Sequence, residues 1–259
     1  MAYFSPILTV MIGAVKKAAT AMARDFNELE HLQNAQHSDN MFATRSLEKA
    51  TRTLREELLK TKPNCTVVTE KDALPASGSY FLLSPIDGYA NFAHGNAAFA
   101  ISVALVENNT VVDAVVYSPI NDEMFFAEKG SGAFKEGFRN HERLRVAGAK
   151  NTENALIACN AVNGVLQKVT ALSTQVRISG TAAVDLAYVA AAKVDAAVLK
   201  DMHPAALAAG ILLVKESGGY VFAIGDKDIR SENLQKALSG GSIVATNEPL
   251  KQKIADFLA

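Results

Sequence analysis

Leu83-Ser84-Pro85-Ile86-Asp87-Gly88-Tyr89-Ala90-Asn91-Phe92 is the stretch on which the reading of this chain turns. Tyr80–Leu83, just before and into it, has the aromatic and apolar character of a strand. Asp87-Gly88 is a turn dipeptide, and alone it marks a turn far more often than a metal site. Gly88 to Phe92 then reads as the start of a short helix, whose free N–H groups attract anions.

Upstream, Pro6 to Leu32 predicts a long helix, with Leu8, Met11, Ile12, Val15, Ala19, Met22 and Phe26 spaced for one buried stripe. Gln33–Asn40 is polar and loop-like. Ser46 reads as the opening of a second helix, with Lys49 where a capping box would want glutamate. Cys65–Glu70, Phe99–Glu107, Val111–Tyr117 and Glu123–Glu128 read as further strands. Asn108-Asn109-Thr110 is a tight hairpin, because asparagine tolerates positive φ. Lys129–Gly132 is a turn, and Asn140–Lys150 is the polar connection to the second half. From there strands (Gln175–Ile178, Val194–Leu199, Tyr220–Ala223, Ser242–Ala245) alternate with helices (Thr181–Ala192, Pro204–Ser217, Glu248–Leu258), an α/β layer. Gly218-Gly219 ends a helix at positive φ. The predicted halves are 1–145, α+β with a large antiparallel sheet, and 146–259, α/β.

At 259 residues, 49% hydrophobic and 20% charged, the composition is that of a globular chain with a large core. A formal net charge of -1 gives no electrostatic reason for a nucleic-acid or anionic-membrane partner. Cys65 and Cys159 form no Cys-x-x-Cys pattern, so the expected setting is reduced and cytoplasmic. The N-terminal apolar stretch lacks a basic segment before it and is broken by Lys16 and Lys17, so a core helix is expected rather than a signal peptide or membrane span. His94 and His203 read as solvated or structural, since neither has a second ligand at i+4.

The opening stretch resembles the motif Asp-Pro-Ile/Leu-Asp-Gly-Thr-x-Asn-Phe of the inositol monophosphatase family. Ala100–Phe134 is similar to that family's central hairpin. Arg177–Asp195 is similar to its Arg-x-x-Gly-Ser-Ala-Ala-x-Asp-Leu helix, and Pro204–Gly219 to its Pro-Trp-Asp-x-Ala-Ala-Gly segment. The likeness spans nearly the whole chain and leans toward the bacterial extragenic-suppressor branch. It implies a layered αβαβα sandwich (α+β and α/β halves), a homodimer, and a Mg²⁺-dependent phosphomonoesterase site between the halves.

The resemblance also assigns residues. Glu70 and Asp87 stand at metal-binding acids, and the Ile86 carbonyl at a further ligand. Ser84 stands where a bridging aspartate is expected, Ala206 where another aspartate is, and Leu47 and Met41 where acids are. Tyr89 replaces the water-activating threonine, Lys71 a second glutamate, and Leu199 a glutamate that contacts the sugar ring. Gly88, Tyr89, Lys71 and Asp185 are the expected substrate or anion contacts. At ~4 Å and an effective dielectric of about 20, one charge pair is worth ~4 kcal/mol. Two lost acids and a gained lysine therefore predict Mg²⁺ that is weakly bound or absent.

The function expected is that of an inactive or strongly impaired member acting as a binding or regulatory protein, with a protein partner or a small phosphate ester. The alternative is a Mg²⁺-dependent phosphomonoesterase hydrolysing inositol monophosphate or a related sugar phosphate through a reduced metal site. A sugar-phosphate sensor is the third reading.

Overall fold

The computed structural model describes residues 4–33, 39–160, 164–226 and 240–258. Helix α1 (Pro6–Gln33) and helix α2 (Asp39–Thr61) pair and cover one face of a seven-stranded sheet. Its strands are β1 (Thr66–Val68), β2 (Ser79–Asp87), β3 (Ala100–Glu107), β4 (Thr110–Ser118), β5 (Glu123–Glu128), β6 (Gly132–Lys135) and β7 (Glu142–Arg143), side by side in chain order. Every pairing is antiparallel except β1 with β2. A five-residue helix α3 (Tyr89–Ala93) follows β2.

The second sheet runs β11 (Tyr220–Ala223), β12 (Ile243–Thr246), β10 (Ala196–Leu199), β8 (Leu156–Cys159), β9 (Gln175–Arg177). Helices α5 (Ala182–Ala190) and α6 (Pro204–Glu216) lie between the two sheets. Helices α4 (Val165–Leu172) and α7 (Glu248–Leu258) cover the outer face.

Strand alternation sorts the side chains into three cores. Phe81, Leu83, Ile101 and Val103 point to α1 and α2. Leu82, Ala104 and Val116 point to α5 and α6, together with Ala197, Leu199 and Ala245 from the small sheet. Ile157, Val198 and Val244 meet α4 and α7. Helices α5 and α6 are apolar almost all round because they have sheet on both sides. Gly210 lets them meet closely: a Cβ there would fall 2.4 Å from the Leu186 Cβ. The order helix, sheet, helix, sheet, helix is the expected αβαβα sandwich.

Several local expectations need correction. Helix α2 begins at Asp39, not Ser46. Ser46 is buried and donates to Asp25 Oδ2 of α1 at 3.1 Å, and Lys49 pairs with the same carboxylate, so both side chains serve helix packing rather than capping. Most of the Gln33–Asn40 loop lies outside the described residues. The strand expected over Cys65–Glu70 is only Thr66–Val68. Strand β2 runs on through Asp87, past Pro85, where the ladder shifts register between Ser84 and Asp87. Proline has no N–H to give the ladder, which suits an irregularity there. Strand β7 falls in the stretch read as a polar connection, β6 begins at the last residue of the expected turn, and β8 and helix α4 lie in a segment for which no element was expected.

Asn108 and Asn109 do take positive φ (48° and 60°), and Gly218 (85°) closes α6, as their residue types predict. Pro6–Leu29 is by length and composition apolar enough to cross a membrane (mean hydropathy 1.3). Its stripe, Leu8, Met11, Val15, Met22, Phe26 and Leu29, is at most 2% exposed, packed in the core shared with α2 and the sheet.

Candidate functional site

Strand β2, α3 and the N-terminus of α5 bring the quoted residues together. Asp87, at the end of β2, is buried. Its Oδ2 accepts from the Thr181 hydroxyl at 2.5 Å and from the Ala183 N–H at 2.7 Å. Thr181 is the N-cap of α5 and also accepts from Val184 N–H. One carboxylate thus satisfies an orphan donor of the helix and sits at its positive end.

Gly88 takes φ 84°, and a Cβ there would lie 2.8 Å from the Ala98 carbonyl oxygen. Only glycine fits this turn into α3. Asn91 donates to the carbonyls of Ala98 (2.6 Å) and Ser179 (2.8 Å), tying α3 to the loop before α5. Tyr89 reaches α2, its hydroxyl 2.9 Å from Thr44 Oγ1.

Ser84 is fully buried and donates to Glu70 Oε1 at 2.7 Å. It is paired across the strands with Ser102, whose hydroxyl is buried without a partner among the described residues. By alternation both serines face the α5–α6 layer, where Ala206 and Leu199 are buried. These positions offer two hydroxyls and two hydrocarbon groups.

Three acids, Glu70, Asp87 and Asp185, lie within electrostatic reach in series. Burial is the main cause that raises Asp87 to about 6, with Glu70 adding repulsion against the hydrogen bonds it accepts. Burial likewise raises Asp185 to about 7, opposed by a hydrogen bond from Ser179 and aided by Asp87. No group of three or more His, Cys, Asp or Glu among the described residues is placed to hold a metal. The donors do not suit two Mg²⁺ ions: Ser84 gives one neutral oxygen in place of a bridging carboxylate, and Ala206 gives none.

The expected anion contacts separate. Gly88, Tyr89 and Asp185 stay near Asp87, whereas Lys71 is exposed and lines a cavity toward α2 with Glu70 and Leu47. His203 is structural: its Nδ1 accepts from the Ala205 N–H at the start of α6. The first-turn N–H groups of α5 are held by Asp87 and Thr181. A threonine just ahead of the apolar run Ala182–Ala190 was the available signal for the cap.

Asp87 and Asp185 both have folded values above the ordinary aspartate value of about 3.9. Their stabilising contribution is therefore complete below about pH 4 and lost as pH rises through about 6 to 7. Asp185→Asn is expected to flatten that loss by a few kcal/mol, because each tenfold change in proton affinity is worth about 1.4 kcal/mol. Urea midpoints at acid and neutral pH measure it; equal differences for variant and parent would contradict the assignment.

The chain matches the family described as "Inositol monophosphatase family" over residues 4–258. It is 34% identical over 267 residues to an inositol-1-monophosphatase of Rhizobium meliloti, covering 98% of this chain and 96% of that protein. It is 33% identical to a Nus factor SuhB of Xylella fastidiosa, covering 83% and 81%. The crystal structure of the extragenic suppressor protein SuhB from Bartonella henselae superposes with a TM-score of 0.83, 33% identity and 99% of each chain covered.

Proposed function

Because the chain belongs to the inositol monophosphatase family, we propose that it is a binding or regulatory protein on a phosphatase frame, with two-ion hydrolysis lost. The observation that carries this is the Ser84 hydroxyl, fully buried and 2.7 Å from Glu70, where the resemblance expects a bridging carboxylate. Two dications about 4 Å apart repel by roughly 17 kcal/mol at an effective dielectric of about 20. Glu70 and Asp87 are two charges against that, and Leu47, Ser84 and Ala206 add none. Mg²⁺ is accordingly weakly held or absent in this reading.

The ligand is a small phosphate ester or related anion beside Gly88, Tyr89 and Asp185. The similarity to proteins named Nus factor SuhB supports a macromolecular partner, a protein first of all. A homodimer in the cytoplasm fits the resemblance and the two free cysteines.

The test is phosphate release from inositol 1-phosphate with millimolar Mg²⁺. Turnover is expected to equal that of a Glu70→Gln control, and the melting temperature to be indifferent to Mg²⁺. Turnover that Asp87→Asn abolishes would sink the proposal. It would favour the second reading, a Mg²⁺-dependent phosphomonoesterase with a reduced site on Glu70, Asp87 and the Ile86 carbonyl. What supports that reading is the acid series itself, whose mutual repulsion a cation would relieve.

A further inference from the structure

A cavity of about 340 Å³ lies between one face of α2 and the segment after β1, and Glu70 is common to its wall and to the candidate site. Asp87, Gly88 and Asp185 do not line it. Leu47, Thr51 and Pro85 give it an apolar lining, and Arg52, Arg55 and Lys71 are also on its wall. Residues 48, 51, 52 and 55 recur at helical spacing, so α2 presents them together.

These cations differ from their neighbours. Lys49, Lys60 and Lys62 form ion pairs with Asp25, Glu57 and Glu107. Arg52, Arg55 and Lys71 form none with described residues, although Arg55 is near enough to Asp72 to help lower its carboxyl. Two acids, Glu48 and Glu70, also line the cavity. Glu70 is held by Ser84 on its inner side. The balance is one net positive charge from three cations and two acids, over an apolar floor.

We propose that this cavity is a second ligand site, which takes a small organic anion with an apolar body, of the aryl phosphonate or aryl phosphate class. The volume is within the ~300–1,000 Å³ usual for small-molecule pockets, which are mostly apolar with a few placed polar groups. Two guanidinium forks suit the paired oxygens of a phosphonate head, and Lys71 adds a point charge. The apolar body covers Leu47 and Pro85. The site goes beyond the proposed function and needs neither metal nor hydrolysis.

Calorimetric titration with phenylphosphonate in EDTA tests it on the whole protein. Saturable binding is expected, with inorganic phosphate and benzylamine each at least about tenfold weaker. The variant R52Q/R55Q/K71Q is expected to lose about tenfold or more in affinity while its melting temperature stays put. Thr51→Trp, which fills the cavity without changing charge, should abolish binding. No saturable heat with phenylphosphonate overturns the proposal. So does equal affinity for inorganic phosphate, which would reduce the site to a patch of charge, or binding that survives both variants.

Discussion

Aspartate placed at positions 47, 84 and 206 together is expected to make folding depend on magnesium. Ser84 is 0% and Ala206 2% exposed, so both new carboxylates enter a dry interior. An unpaired buried ion costs several kcal/mol even after relaxation. A domain has about 5–15 kcal/mol in all, so the triple variant in EDTA should stand near unfolding. The resemblance puts the new acids beside Glu70 and Asp87, where they would add charge for Mg²⁺. An ion at a hundred times its dissociation constant contributes about 2.7 kcal/mol to the folded state. Thermal melts with EDTA, Mg²⁺ and no addition read the effect directly, and Ser84→Asn serves as an uncharged control. A triple variant whose melting ignores Mg²⁺ would show that these positions do not converge on one site.

The second large effect concerns the frame rather than the chemistry. Phe92→Ala is expected to cost about 3–5 kcal/mol, the usual range for deleting a buried ring. Phe92 is 0% exposed, with its ring centroid 5.0 Å from Phe99 in an edge-to-face contact and 6.0 Å from Phe26 of α1. It fastens α3, and with it Gly88 and Tyr89, to the core beneath the large sheet. In a chain of this size about 2–4 °C of melting temperature goes with each kcal/mol, so a drop of roughly 10 °C is anticipated. Tyr89→Phe keeps the ring and removes the hydroxyl that lies 2.9 Å from Thr44 Oγ1, and should cost about 1 kcal/mol. Comparable losses for the two variants would mean that Phe92 is not the anchor described.

Much of this was legible in the residues, for definite reasons. The apolar stripe of α1, the double asparagine between β3 and β4, and the alternation after residue 175 each state a local period or turn that packing then keeps. What escaped depended on partners distant in sequence. Ser46 looks like a cap until Asp25 of α1 claims its hydroxyl. Pro85 seems to end a strand, yet the ladder shifts register and continues to Asp87. Strand β8 and helix α4 are too short for their periods to stand out. At the site, the motif supplied Asp87, Gly88 and Ser84. It did not disclose that Asp87 is held by Thr181, ninety-four residues on. Nor could it show that Lys71 faces α2 with Arg52 and Arg55.

The enclosure of α5 and α6 bears on how the whole chain comes apart. Both helices belong to one apolar cluster that also holds residues of both sheets. Tyr188 of α5 donates to Glu123 on β5, and Gly219, just past α6, sits against Val146 and Thr246. Stripping away either sheet would leave a helix pair with one flank bare to water, so neither half has a finished interior of its own. With both sheets sharing that cluster, heating is expected to disassemble the chain in one transition, with no separate melting on either side of the boundary expected near residue 145.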